Sequence, residues 1–218
     1  MTRDDINKKS IRLAKENKIL ALEFATGIGK SKIALDIINS LFITSVPTVL
    51  LVVAELAHFD NWKKEAFKWK HDKLWDIITC VTYASLKKHK DMKYDIIILD
   101  EAHHIGSDLR LDIIDNIQFD KMLLLSATLG ESLKQYISNM FNTQIKSYKI
   151  TLQQAIDWEI LPKPKIYLIP LTLNTTNVSE KIIEECGKAP LRKRYKCTYQ
   201  ERWEYIKNKK KYPNVILE

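Results

Sequence analysis

The stretch Ile19-Leu20-Ala21-Leu22-Glu23-Phe24-Ala25-Thr26-Gly27-Ile28-Gly29-Lys30-Ser31 decides the fold. Its first six residues, apolar except for Glu23, suit a largely buried strand. A turn holding two of the chain's five glycines breaks that run, and apolar residues then return at helical spacing at Ile33, Ile37, Ile38 and Leu41. A β-rich run from Thr48 to Val53 closes a strand-helix-strand unit. On the N-terminal side, residues 4–17 read as a helix with Asp4 and Asp5 in its first turn, where carboxylates favour the helix dipole. On the C-terminal side, a helix is expected over about 56–70 and strands near 77–82, 95–100 and 121–126. A strand near 144–150 and a short helix near 151–158 follow. The strands are apolar on both faces and alternate with helices. That pattern predicts an α/β fold, a doubly wound and mostly parallel sheet covered by helices on both faces, with ligands at the strands' carboxyl ends.

Beyond the Pro162 and Pro164 punctuation a β run is expected from Lys165 to Leu173, with a domain edge near 174. The reading is therefore one domain over 1–173 and a small basic C-terminal appendage, or the start of a connection, over 174–218. Thr198 with Glu201 forms a capping-box pattern that opens a basic helix over about 199–211. Val215 to Leu217 read as the start of a strand, so the chain is expected to continue past Glu218.

Thr26, Gly27, Ile28, Gly29, Lys30 and Ser31 lie between a strand and a helix, the context in which a glycine turn becomes a phosphate loop. The glycines let backbone N–H groups point inward, and the helix N-terminus adds its positive end. Lys30 is then placed for the β and γ phosphates of ATP and the Ser31 hydroxyl for Mg²⁺. A strict form of the motif has glycine where this chain has Phe24. The run Ile96 to Leu99 delivers Asp100 and Glu101 to a strand end. Adjacent acids beside a phosphate loop suit ATP hydrolysis: Asp100 holds the metal and Glu101 acts on the attacking water. His103 and His104 follow, and Ser126-Ala127-Thr128 comes directly after the apolar Met122 to Leu125.

TGIGKS, LDEAHH and LLLSATL, in this order on successive strand ends, resemble motifs I, II and III of superfamily 2 helicases of the DExH or DEAH type. The resemblance implies an N-terminal RecA-like ATP-binding domain. It also implies that Ser126 and Thr128 couple nucleotide state to nucleic-acid grip, with His103 linking them to the ATP site. Val81 to Leu86 resembles a segment of repair-type and type III restriction-type motors, which puts Thr82 and Tyr83 near the tracked strand. No glutamine precedes Gln118, so the upstream adenine-reading glutamine of the family is missing, and Asn7, 23 residues before Lys30, is the available amide. The family's second RecA-like domain is to be supplied in cis or in trans. Phe59, Trp62, Ala66 and Trp69 form a helical stripe read as core rather than as base-stacking residues.

The net charge of +8 arises from 35 Lys/Arg against 27 Asp/Glu. Residues 181–218 hold 11 of the former and 5 of the latter, a local excess of six. Such a basic segment suits a polyanion partner. Cys80, Cys186 and Cys197 are too few for a disulfide framework and badly spaced for zinc, and no apolar run is long enough for a membrane span. A cytoplasmic setting is expected. Together these observations predict an ATP-dependent helicase or translocase half acting on DNA rather than RNA. The alternative is a nucleotide-dependent module that clamps nucleic acid or protein without translocating. A phosphate-loop ATPase acting on proteins is a third reading, against which Ser126-Ala127-Thr128 argues.

Overall fold

Ile19–Phe24 forms β1, and all six of its residues are buried. The computed structural model describes residues 1–163 except 44 and 107, and beyond them only the short strands Arg194–Tyr195 and Ile216–Leu217. Before β1 runs α1 (Arg3–Glu16), opened by a capping box in which Thr2 and Asp5 exchange side-chain and backbone hydrogen bonds. After it come α2 (Lys30–Leu41), β2 (Val49–Val53), α3 (Ala57–Lys68), α4 (Asp72–Trp75), β3 (Ile78–Thr82) and β4 (Lys93–Asp100). The remainder is α5 (Asp108–Asp115), β5 (Gln118–Ser126), α6 (Glu131–Met140), β6 (Ile145–Ile150) and α7 (Leu152–Asp157).

The six strands form one sheet in the order β3-β2-β4-β5-β1-β6, and every pairing is parallel. From β1 the chain steps toward β3 and then reverses, stepping through β4 and β5 to β6. Because right-handed crossovers on the two legs fall on opposite faces, the sheet is covered on both. Burial follows the same division. Leu20, Leu22, Val49, Leu51, Ile96 and Ile98 share a core with Ile6 of α1, Ile33 of α2 and Trp62 of α3. Their neighbours Ile19, Ala21, Leu50, Val52, Ile97 and Leu99 share the other core with Ile113 of α5 and Ile137 of α6. Alternate side chains of each strand point to opposite faces, so a strand buried on both sides reads as an unbroken apolar run. Among the described residues no helix is long and apolar enough to cross a membrane.

Glu23, the polar interruption of β1, is matched from α6. Lys134 Nζ donates to Glu23 Oε1 at 2.9 Å, with the two side chains only 11% and 4% exposed. Burial works against the lysine's charge, but Glu131 and Glu23 outweigh it and hold the ammonium above its ordinary value. The stabilisation this gives is therefore complete below the lysine range of an unfolded chain and is lost as pH rises through the elevated value. Lys134→Met leaves a buried carboxylate without its cation and is expected to cost about 3–5 kcal/mol in urea denaturation. Glu23→Leu added to it should recover most of the loss. A single-variant cost below ~1 kcal/mol would class the pair with solvent-shared surface bridges and contradict this account.

The chain divides into Met1–Pro164 and Lys165–Glu218. In the second unit Arg194–Tyr195 pairs in parallel with Ile216–Leu217, in line with a strand near 215–217. The expected run over 165–173, the edge near 174 and the basic helix over 199–211 lie outside the described residues.

Candidate active site

Three of the motifs singled out in the sequence end on adjacent strands. Asp100 of β4 is in register with Leu125 of β5, and Leu125 with Leu22 of β1. With strands about 4.8 Å apart, the ends of β1 and β4 stand roughly 10 Å from each other, with Ser126 between them. That separation leaves room for a phosphate group and its cation between the loop and the acids.

The loop leaves β1 with Ala25 N–H donating to Ile150 O, and turns at Gly27 (φ 90°) and Gly29 (φ 105°). Both angles are left-handed, which glycine alone adopts without strain. At Gly27 a side chain would also meet Leu161 Cδ2 at 3.1 Å. Ile28 is buried and anchors the turn. Among the described residues no side chain caps α2, so the N–H groups of its first turn are available to an anion. Lys30 Nζ reaches back across the loop to Phe24 O at 3.0 Å, and Ser31 follows in the same turn. Arg3 straps the loop from outside, donating from Nη1 to Gly27 O and Ile28 O (3.1 and 2.6 Å) and from Nη2 to Ile160 O (2.9 Å).

Asp100 is held from both faces of the sheet. Trp62 Nε1 of α3 donates to its Oδ2 at 2.8 Å, Glu101 N–H donates to its Oδ1 at 3.1 Å, and the Tyr83 hydroxyl donates to its backbone carbonyl at 3.0 Å. Burial, with the neighbouring Glu101 charge, raises its carboxyl above the ordinary value, and the Trp62 hydrogen bond opposes this. Glu101 sits at φ 49°, a left-handed conformation that costs a residue with a side chain about 1–3 kcal/mol. The Cys80 thiol is half-buried and pushed up to about 12 by burial and then by the Asp100 charge, which keeps it protonated and inert.

His103 Nδ1 lies 3.4 Å from Glu101 Oε2 and 3.3 Å from Ser126 Oγ, so one imidazole spans the acidic strand end and the serine strand end. Ser126 is buried, and its hydroxyl closes a turn by donating to Thr128 O (2.6 Å) and accepting Thr128 N–H (3.2 Å). Thr128 itself is exposed. Thr82 is half-buried, its N–H donating to Ser85 Oγ at 3.1 Å. Tyr83 requires a correction: it is only 3% exposed and its hydroxyl points inward to Asp100. An apolar ring with a satisfied hydroxyl packs against the second core and has no face to offer a strand.

The loop, Lys30, Ser31, Asp100 and Glu101 all line one cleft of about 700 Å³, together with Arg3, Asn7, His58, Trp62 and Trp69. Its size is that of a small-molecule site. Asn7 Nδ2 donates to Asp36 at 2.7 Å, while Asn7 Oδ1 and His58 Nδ1 are buried without partners among the described residues. Orphaned polar atoms on a cleft wall fit a polar ligand. Several cleft residues, His58 among them, were not legible as such in the sequence. Arg3 carries no motif, and Trp62 reads by periodicity as core, which it is, while its indole N–H, which requires a partner, was the overlooked signal. Trp69, read as the end of the same stripe, is instead 41% exposed, with its N–H on Glu65 at 2.8 Å.

The family described as type III restriction enzyme, res subunit, matches residues 3–131, more than half of the 218. No curated protein matches the chain. Among solved structures, it is similar to the Sulfolobus solfataricus SWI2/SNF2 ATPase core in complex with dsDNA, at 17% identity and a TM-score of 0.50 over 99% of this chain and 43% of that one. It is similar to the nuclease-deletion mutant of the Type ISP restriction-modification enzyme LlaGI in complex with a DNA substrate mimic (16% identity, TM-score 0.53, 72% of this chain and 20% of that one). It is likewise similar to the UvsW helicase from bacteriophage T4 (15% identity, TM-score 0.53, 66% of this chain and 58% of that one). The chain thus spans less than two thirds of each of these structures. The chain belongs to the family of type III restriction enzyme res subunits and has the N-terminal RecA-like fold of superfamily 2 helicases.

Proposed function

We propose that this chain binds ATP and Mg²⁺ and forms the hydrolytic half of a helicase or translocase that acts on DNA rather than RNA, with a second RecA-like domain supplied in cis or in trans. The observation that carries the reading is the adjacency of β4, β5 and β1, which gathers Lys30, Asp100, Glu101 and Ser126 at one edge, with His103 between two of them. The loop N–H groups and Lys30 bind the β and γ phosphates. Ser31 and Asp100 would hold Mg²⁺, which when bound neutralises charge between those phosphates. Glu101 orients the attacking water and takes its proton as the γ-phosphorus–oxygen bond to ADP breaks. His103, in contact distance of Glu101 and Ser126, carries the state of that acid to the Ser126-Thr128 turn. Asn7 Oδ1, an acceptor without a partner among the described residues, is suited to the exocyclic amine of adenine and unsuited to the carbonyl that guanine has there.

The preference for DNA is supported by the two similar structures that hold DNA or a mimic of it, while the +8 charge suits either nucleic acid. The test is the affinity of the chain for labelled single-stranded DNA and for RNA of the same sequence, with ADP and with a non-hydrolysable ATP analogue, across a salt series. DNA affinity is expected to differ between the two nucleotides and to fall steeply with salt. Identical affinities in both nucleotide states would remove the coupling from this reading, and tighter nucleotide-dependent binding of RNA would reverse the preference.

A further inference from the structure

Trp62 does more than fill the core. We infer that Trp62 is a positioning residue for the metal-holding carboxylate, its indole N–H fixing the rotation of Asp100 so that the free lone pairs of both oxygens face the cleft. The inference rests on the magnesium-ATP reading of that cleft.

An aspartate carboxylate turns in a broad torsional well unless something holds it. Here one oxygen receives the Trp62 N–H at 2.8 Å and the other the Glu101 N–H at 3.1 Å. Each bond uses one of the two lone-pair sites on its oxygen and leaves one for a cation or its water. The donor itself is rigid, since Trp62 is 2% exposed and packed in the core with Ala66 of the same helix. A buried indole needs only some acceptor, and any carbonyl would do. That the acceptor is the cleft carboxylate, 38 residues away in sequence, ties α3 to the metal position. Partners of this kind behind a metal ligand contribute about 10–100-fold to metal affinity.

Trp62→Phe keeps the packing and removes the donor. Calorimetry with a non-hydrolysable ATP analogue, in EDTA and in a Mg²⁺ series, is expected to show unchanged metal-free affinity and a Mg²⁺ requirement raised about tenfold. Equal Mg²⁺ dependence in the variant and the unaltered chain overturns the assignment. So does a loss of affinity that is the same with and without metal, since that marks a purely structural role. If Mg²⁺ adds nothing to analogue binding by the unaltered chain, the magnesium-ATP reading itself fails, a result distinct from either. A second measurement does not depend on the variant folding: in ¹⁵N-tryptophan-labelled chain, Mn²⁺ with the analogue should broaden the solvent-protected indole N–H signal of buried Trp62 far more than that of exposed Trp69 in the same cleft. Bound analogue with the protected indole signal unbroadened overturns the proposal.

Discussion

Replacing Lys30 by alanine is expected to cut affinity for ATP about a hundredfold while leaving the chain folded. The lysine begins α2, and its ammonium already spans the loop to the Phe24 carbonyl at 3.0 Å, so it hangs over the cradle formed by Gly27 and Gly29. No other lysine lies in that loop. Losing a charge-assisted bond to a phosphate in a partly enclosed cleft costs on the order of 3 kcal/mol, which corresponds to about a hundredfold in Kd. The fold should not suffer, because Lys30 is only half-buried and its contact is to a carbonyl of the same loop. Calorimetry with a non-hydrolysable analogue measures the loss, and a melting curve checks the fold. Unchanged affinity in a folded variant would remove the phosphate-loop assignment.

Glu101→Gln should leave nucleotide affinity close to that of the unaltered chain and lower ATP turnover by about 10²–10⁴-fold, measured with the second RecA-like domain supplied. Glutamine keeps the length and hydrogen-bonding reach of the side chain but cannot take a proton from water. It also keeps the left-handed backbone at φ 49°, so the variant carries the same local strain and isolates the chemistry. Turnover within a few-fold of the unaltered chain would assign the base elsewhere. The His103 contact at 3.4 Å offers a further reading of such a variant, because an amide still reaches the imidazole. Nucleotide-dependent changes at Ser126 and Thr128 should therefore persist when turnover is lost.

Strand-forming runs were legible because burial on both faces leaves them uninterrupted, as in Ile96 to Leu99. The glycine turn, the acid pair and the serine-threonine pair were legible because each follows such a run directly. Strand order was not, since it depends on pairings such as Leu22 with Leu125 that are about a hundred residues apart. Nor could the sequence separate the two faces: Tyr83 and Thr82 are neighbours, yet one is sealed in a core and the other stands half-buried at the edge. The acceptor chosen by the Trp62 indole and the reach of Arg3 from α1 to Ile160 are three-dimensional facts with no trace in periodicity. The stripe that includes Trp62 shows the limit well, because a helical face can border a core and a cleft at once.

The alternation of side chains along β4 has a consequence for which changes of length this chain can absorb. Asp100 shares a face with Ile96 and Ile98, the side from which α3 approaches. Inserting or deleting a single residue within Lys93–Leu99 would turn Asp100 away from Trp62 and toward the helices of the opposite layer, even if every remaining residue were kept. Exchange among Ile, Val and Leu in that strand is far milder by comparison. The opposite edge of the sheet imposes no such condition. Around Val46, which is 79% exposed just ahead of β2, added residues would lengthen a connection without shifting any strand end that bears on the cleft. A fluorophore or affinity handle grafted there would ride on the sheet's far rim and report on the protein without touching its chemistry.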